Sequence, residues 1–197
     1  MALGSVCVYC ASSLGNEPAF AAVAQETGEA LARAGIRLVY GGGSAGLMGA
    51  LADAALAAGG EVTGVLPRRL FSREVAHPGL SEMIEVESMH ARKQKMFELS
   101  DAFVALPGGL GTFEELLETT TWAQLGLHAK PIATLDVNGY WDPFHELLAR
   151  AVARGLMKPA SLGLVVRVGA VGELLGALEG YEPPTAERFV GLRESET

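Results

Sequence analysis

Cysteine, histidine and positive charge are all scarce in this 197-residue chain, and each shortage removes a class of chemistry. Two cysteines, Cys7 and Cys10, are too few to staple a fold, and there is no second pair to complete a four-thiolate zinc site. Their C-x-x-C spacing lies in or beside an apolar run that reads as a strand. Three residues of separation there send side chains to opposite faces, roughly 10 Å apart. His77, His90, His128 and His145 show no paired ligand spacing, so no metal is expected. Fifteen Lys and Arg against 23 Asp and Glu give a net charge of −8, which argues against a nucleic-acid partner. One local basic cluster would still serve a small phosphorylated ligand. No apolar stretch approaches the roughly 20 residues needed to span a bilayer, so no membrane partner is expected. The first residues lack the basic region and long apolar segment of a secretory signal, and the expected compartment is the cytoplasm.

What remains is a globular composition, 49% hydrophobic and 19% charged, with 25 glycines. Short apolar runs at 5–9, 37–40, 61–66, 83–87, 102–106, 132–135 and 162–168 read as strands. Helical patterns alternate with them. In the first, Phe20, Val23, Thr27, Leu31 and Ala34 form one stripe, started by Asn16 with Pro18 in its first turn and stopped by Gly35. The second, 47–58, is rich in alanine and should pack close to the sheet. This alternation predicts an α/β fold: a Rossmann-like, doubly wound parallel sheet of about seven strands with helices on both faces. Ligands of such sheets bind beyond the carboxyl ends of the strands, where strand order reverses. Residues 1–181 read as one nucleotide-binding domain. The polar segment 182–197, with two prolines, reads as a mobile tail.

Two glycine loops stand between a strand and a helix. GGGSAG at 41–46 matches G-x-G-x-x-G in that setting, where glycines let backbone N–H groups face an anion. The following strand ends Gly64-Val65-Leu66-Pro67 with no carboxylate for a ribose, which argues against NAD. PGGLGTFEE at 107–115 is the second loop. Thr112 and Glu115 have the spacing of a T-x-x-E capping box, which needs no ligand. Capping leaves unexplained the proline and three glycines around it, since a plain turn needs only one or two special residues. An anion site is the better reading. In the basic helix MHARKQKM, Met89, Arg92, Met96 and Leu99 share a stripe, so Arg92 points with apolar neighbours while Lys93 and Lys95 read as the solvated face. A guanidinium so placed fits a carboxylate, a phosphate or a partner subunit.

These segments together resemble the Lonely Guy family of cytokinin-activating phosphoribohydrolases, long labelled lysine decarboxylases. The resemblance rests on PGG-x-GT-x-x-E at 107–115, with VYCASS at 8–13, GGGSAGLMG at 41–49, MHARKQKM, SDAFVALPGG at 100–109 and TWAQLGLHAKP at 121–131. Ala11 departs from the glycine that members often carry before the serine pair. The resemblance implies a homodimer that needs no cofactor and removes ribose 5-phosphate from AMP or N6-isopentenyl-AMP. By motif position it implies Arg92 and Glu115 as the catalytic pair, and Gly108, Gly109, Gly111 and Thr112 around the phosphate. Ser12, Gly41, Gly42, Gly43 and Met48 would line the nucleotide site, with Lys93 and Glu74 as further candidates.

The chemistry is compatible. N-glycosidic cleavage passes through an oxocarbenium-like state, which needs negative charge near the anomeric carbon and a base for water. Glu115 could supply both, whereas Arg92 could orient Glu115 or bind the phosphate. A pyridoxal decarboxylase would need a Schiff-base lysine, and neither Lys93 nor Lys95 has that setting. The rival of a different class is a sensor or carrier that binds an adenylate without cleaving it. Trp122 reads as core by default, with base stacking or a dimer contact as the alternatives.

Overall fold

The computed structural model describes residues 3–68 and 76–184. Seven strands form one sheet, all pairs parallel: β1 (Ser5–Tyr9), β2 (Arg37–Tyr40), β3 (Val62–Pro67), β4 (Glu82–Val86), β5 (Ala102–Ala105), β6 (Ile132–Leu135) and β7 (Val166–Val168). Their order is β4-β3-β2-β1-β5-β6-β7. Among the described residues five helices lie between strands, α1 (Pro18–Arg33), α2 (Gly46–Ala57), α3 (Met89–Glu98), α4 (Leu110–Gln124) and α5 (Asp142–Ala153), and a sixth, α6 (Val171–Glu179), follows β7. This is the doubly wound, Rossmann-like fold that the alternation predicts.

The pleat sorts the core into two layers. Val6 and Val8 of β1 join Leu38, Val104 and Leu135 under α1, α2 and α6. Cys7 and Tyr9 join Val39, Phe103 and Ile132 on the other face, under Met96 of α3 and Leu116 of α4. Because both faces are covered, the central strands read as continuous apolar runs. Cys7 and Cys10 fall to opposite layers, as their spacing requires.

Several local expectations are corrected. The residue preceding α1 is Glu17, which makes no side-chain capping bond, so Asn16 does not start the helix; Pro18 does occupy its first turn. The buried face of α1 is Phe20, Ala24, Thr27, Gly28 and Leu31, leaving Ala34 exposed. Gly35, with φ of 68°, ends the helix in the left-handed region that glycine enters without cost. The last apolar run is not one strand. Pro159–Leu164 winds into a 3-10 helix that buries Leu164 and exposes Leu162, and only Val166–Val168 pairs with β6. A short apolar run with a glycine inside it carries no periodicity to separate the two conformations.

The alanine-rich α2 lies against the sheet and also packs hard on α1. A Cβ on Gly28 would stand 2.3 Å from the Leu51 carbonyl oxygen and 3.0 Å from the Ala55 nitrogen. Gly28→Ala is therefore expected to destabilise the fold by about 1–3 kcal/mol, overpacking outweighing the gain in helix propensity. The urea midpoint reads this directly; a raised midpoint would mean that the two helices part at little cost.

Candidate active site

Strand order reverses between β1 and β5. The chain leaves β1 for α1 on one face and leaves β5 for α4 on the other, so a crevice opens past their carboxyl ends. Two backbone bonds hold its floor: Leu106 N–H donates to the Tyr9 carbonyl (2.9 Å), and Ala11 N–H donates to that of Pro107 (3.2 Å). Above them lies a cleft of about 260 Å³, lined by Val8 to Ser13, Gly41, Met48, Arg92, Gly109 to Thr112 and Glu115.

The two glycine loops differ in what their helices have left to offer. At the start of α2, Leu47 N–H is given to the Ser13 carbonyl and Met48 N–H to that of Ala11, both at 3.3 Å. Gly46, with φ of 61°, is forced by this contact, for a Cβ there would lie 2.3 Å from Ser12 carbon. The first loop is thus a clasp on the β1 exit. Only Gly41 of its three leading glycines lines the cleft. Gly42 and Gly43 are pinned instead, their carbonyls accepting from His77 N–H (3.1 Å) and the Tyr40 hydroxyl (3.2 Å).

At α4 the helix begins at Leu110, three residues earlier than a capping box would place it, and no side chain caps it. Thr112 turns inward, 3% exposed, against Gly108, where a Cβ would fall 2.0 Å from its Oγ1. The expected Thr112–Glu115 cap does not form. The first N–H groups of α4 therefore face the cleft uncapped, a ready anion site. A Cβ on Gly109 or Gly111 would meet no protein atom within 4 Å, so packing within the chain does not require those glycines. Gly108 sits outside the lining, its carbonyl accepting from the Tyr140 hydroxyl.

Arg92 of α3 is 8% exposed and committed on two sides. Its Nε donates to the Val65 carbonyl (3.0 Å) and its Nη2 to the Gly41 carbonyl (2.9 Å). A Cβ at Gly41 would lie 1.9 Å from that Nη2, so any side chain there would push the guanidinium out of its present place. Arg92 Nη1 stands 3.9 Å from Glu115 Oε1, close enough to feel its charge but too far for a hydrogen bond. Burial pushes the Glu115 carboxyl up to about 7, the Arg92 charge pulling the other way and Glu114 adding to the rise. The Cys10 thiol is driven far above its ordinary range by burial and then by the Glu115 charge, so it remains a neutral wall.

Of the expected site residues, then, Ser12, Gly41, Met48, Arg92, Gly109, Gly111, Thr112 and Glu115 share the cleft. Gly42, Gly43, Gly108 and Lys93 do not, and Glu74 lies outside the described residues. Lys93 is not on a solvated face: its side chain is 7% exposed and its ammonium bonds Glu114 and, at 3.0 Å, Glu118. Trp122 packs edge-on against Phe97, ring centroids 5.1 Å apart. Sequence reasoning missed Val8, Tyr9, Cys10, Ala11, Ser13 and Leu110 as lining residues. Position at or just past the end of the first strand of a doubly wound sheet was the available signal for all but Leu110.

The family model described as possible lysine decarboxylase matches residues 48–178. The cytokinin riboside 5'-monophosphate phosphoribohydrolase LOG of Oryza sativa subsp. japonica is 44% identical over 187 residues, 95% of this chain and 76% of that protein. LOG1 of Arabidopsis thaliana, which has the same activity in its name, is 44% identical over 178 residues, 90% and 84% of the two chains. Among solved structures, the Moco carrier protein from Chlamydomonas reinhardtii superposes with a TM-score of 0.67 at 23% identity, covering 89% and 94%. The molybdenum cofactor binding protein from Rippkaea orientalis gives 0.65 at 20%, covering 89% and 93%. At such identity these two structures establish the shared fold.

A carboxyl raised by burial makes the fold less stable as it ionises. Between its ordinary value of 4.5 and about 7 the unfolded chain has lost this proton while the folded chain keeps it, so stability falls with rising pH. Glu115→Gln removes the penalty. Its stability advantage over wild type is expected to grow by about 3 kcal/mol between pH 5 and pH 8 in urea titrations. Parallel curves for the two proteins would mean an ordinary, solvated carboxyl.

Proposed function

This chain belongs to the Lonely Guy family of phosphoribohydrolases, and from that premise we propose that its cleft binds an N6-modified adenosine 5′-monophosphate and hydrolyses the bond between base and ribose. The observation that carries the reading is a buried carboxyl poised near neutrality, one helical turn from an uncapped helix start that opens into the same cleft.

The 5′-phosphate takes the free N–H groups at Leu110, Gly111 and Thr112, where Gly109 and Gly111 leave room for its oxygens. Its binding energy holds the anomeric carbon beside Glu115. As the glycosidic bond lengthens, positive charge develops on the ribose, and the Glu115 carboxylate stabilises it and draws a proton from the attacking water. The water's hydroxyl ends on the anomeric carbon and a proton on the departing base. A carboxyl near 7 suits this work, since a base is most effective when its pKa lies near the working pH. Arg92, fixed by two carbonyls, presents Nη1 as a cation that keeps part of the Glu115 population ionised and faces the same bound nucleotide.

The decarboxylase description would imply pyridoxal phosphate, which needs a free ε-amino group. No lysine lines the cleft among the described residues, and Lys93 is turned to two carboxylates, so the group does not fit. The reading includes a cytoplasmic homodimer, each copy using 1–181 as one domain.

Incubation with isopentenyl-AMP is expected to release free base and ribose 5-phosphate, with the rate rising as pH passes through about 7. Glu115→Gln should lower kcat by about 10²–10⁴ while ribose 5-phosphate binding survives. Tight AMP binding without base release by wild type would make the protein a carrier. Gly111→Ala tests the phosphate cradle separately: the fold should hold or gain slightly, because the new methyl meets no protein atom, while KM rises about tenfold. An unchanged KM would move the phosphate elsewhere.

A further inference from the structure

Lys93 is the side chain least like its sequence setting. A basic helix ordinarily keeps its lysines in water, yet this ammonium is buried and held by two carboxylates of the neighbouring helix, Glu114 and Glu118. It follows Arg92 directly on α3, as Glu115 follows Glu114 on α4. Two cross-helix contacts therefore sit side by side. One is a hydrogen-bonded, three-membered ion cluster; the other is the looser Arg92–Glu115 approach of 3.9 Å.

The two ends of that looser pair are fixed by different parts of the fold. Arg92 is anchored to β3 and the β2 exit through the Val65 and Gly41 carbonyls. Glu115 moves with α4, which is tied to β1 by a bond between the Tyr9 hydroxyl and Thr119 Oγ1 (2.9 Å). Lys93 bonds α4 from the helix that carries Arg92. We propose that Lys93 is a positioning residue for this reaction: its bonds to Glu114 and Glu118 set the separation of Arg92 and Glu115 and offset part of the negative charge of the two carboxylates beside the reacting one. The inference rests on the hydrolase reading given above and assigns Lys93 no contact with the nucleotide.

Its electrostatic consequence can be signed. The charged groups acting on Glu115 are Arg92 and Lys93 from α3 and Glu114 and Glu118 on its own helix. Cys7 and Tyr9 face it from β1 and Cys10 from just past its end, and burial keeps all three protonated. Lys93 lowers the proton affinity of Glu115, whereas Glu114 and Glu118 raise it. Lys93→Met therefore leaves two unbalanced negative charges beside Glu115, and the acid limb of the rate profile moves to higher pH. Glu118→Gln removes one of them and moves the limb the other way.

The test compares wild type, Lys93→Met, Lys93→Arg, Glu118→Gln and the triple variant Lys93→Met/Glu114→Gln/Glu118→Gln. Each is read by kcat and KM for isopentenyl-AMP against pH and by calorimetric Kd for ribose 5-phosphate. NMR titration of carboxyl-labelled glutamate in the ligand-free protein adds a readout that needs no turnover. Lys93→Met is expected to lower kcat about tenfold or more with KM and Kd within about threefold, and to raise the acid limb by about one pH unit. The triple variant should undo the rise and bring the limb to its wild-type place or slightly below it, since one positive and two negative charges are removed together, yet stay slow because the link between helices is gone. Lys93→Arg keeps the limb and recovers part of kcat. A tenfold weaker Kd with kcat unchanged would make Lys93 a phosphate ligand and overturn the proposal, as would an unmoved limb with an unmoved kcat. Should Lys93→Met fail to fold, Lys93→Arg and the opposite shift in Glu118→Gln decide the matter. If wild type releases no base, the hydrolase reading fails, while the glutamate titration still reports whether Lys93 governs Glu115.

Discussion

The arrangement depends on one pair of parallel strands whose exits stay bonded while their chains diverge. β1 and β5 are neighbours in the sheet, and the bonds from Leu106 to Tyr9 and from Ala11 to Pro107 hold them together to their last residues. Beyond that point the chain has to part, toward α1 on one face and α4 on the other. The gap is thus a property of the winding, and side chains only furnish it. The β1 exit is clasped by the start of α2, which spends its donors on Ser13 and Ala11. The β5 exit runs straight into α4, which keeps its own. This asymmetry makes one glycine loop structural and leaves the other open to an anion.

Charge inside the cleft is held in a deliberate near-balance. Arg92 does not close onto Glu115, because its Nε and Nη2 already bond backbone carbonyls. A closed ion pair would hold the carboxyl ionised and occupied, and a distant cation would leave it protonated throughout the neutral range. At 3.9 Å the carboxyl titrates close to neutrality. Next to this pair, Lys93 is saturated by Glu114 and Glu118, so their two negative charges are offset by one.

Much of this was legible in the sequence, for reasons that can be named. β1, β2 and β6 are short apolar runs with a marker at one end or both: Gly4 before the first, Gly41 after the second, Pro131 and Asp136 around the third. Arg92 stood out because a guanidinium shared a stripe with methionines, and Glu115 because a cap could not account for the glycines before it. The errors share another cause: in each, a local pattern was overruled by a distant contact. T-x-x-E signals a helix start, but Gly109 lets α4 begin earlier and Thr112 packs on Gly108. Lys93 looked solvated because its partners lie 21 and 25 residues farther on. The 41–46 glycines looked like a phosphate loop because nothing local reveals that Ser13 and Ala11 take the donors of α2.

The central position of β1 has a consequence for how the chain is made. Its two neighbours are β2, which follows closely, and β5, whose pairing with Val6 begins only at Ala102. A ribosome-bound chain with β1 through β4 complete therefore carries one bare strand edge, rich in valine and tyrosine, until the second half emerges. Parallel pairing across so long a span is slow, and a naked apolar edge is what invites other chains to add to it. The middle of the sheet, where the finished protein is most protected, is the part left most open while the chain is half made.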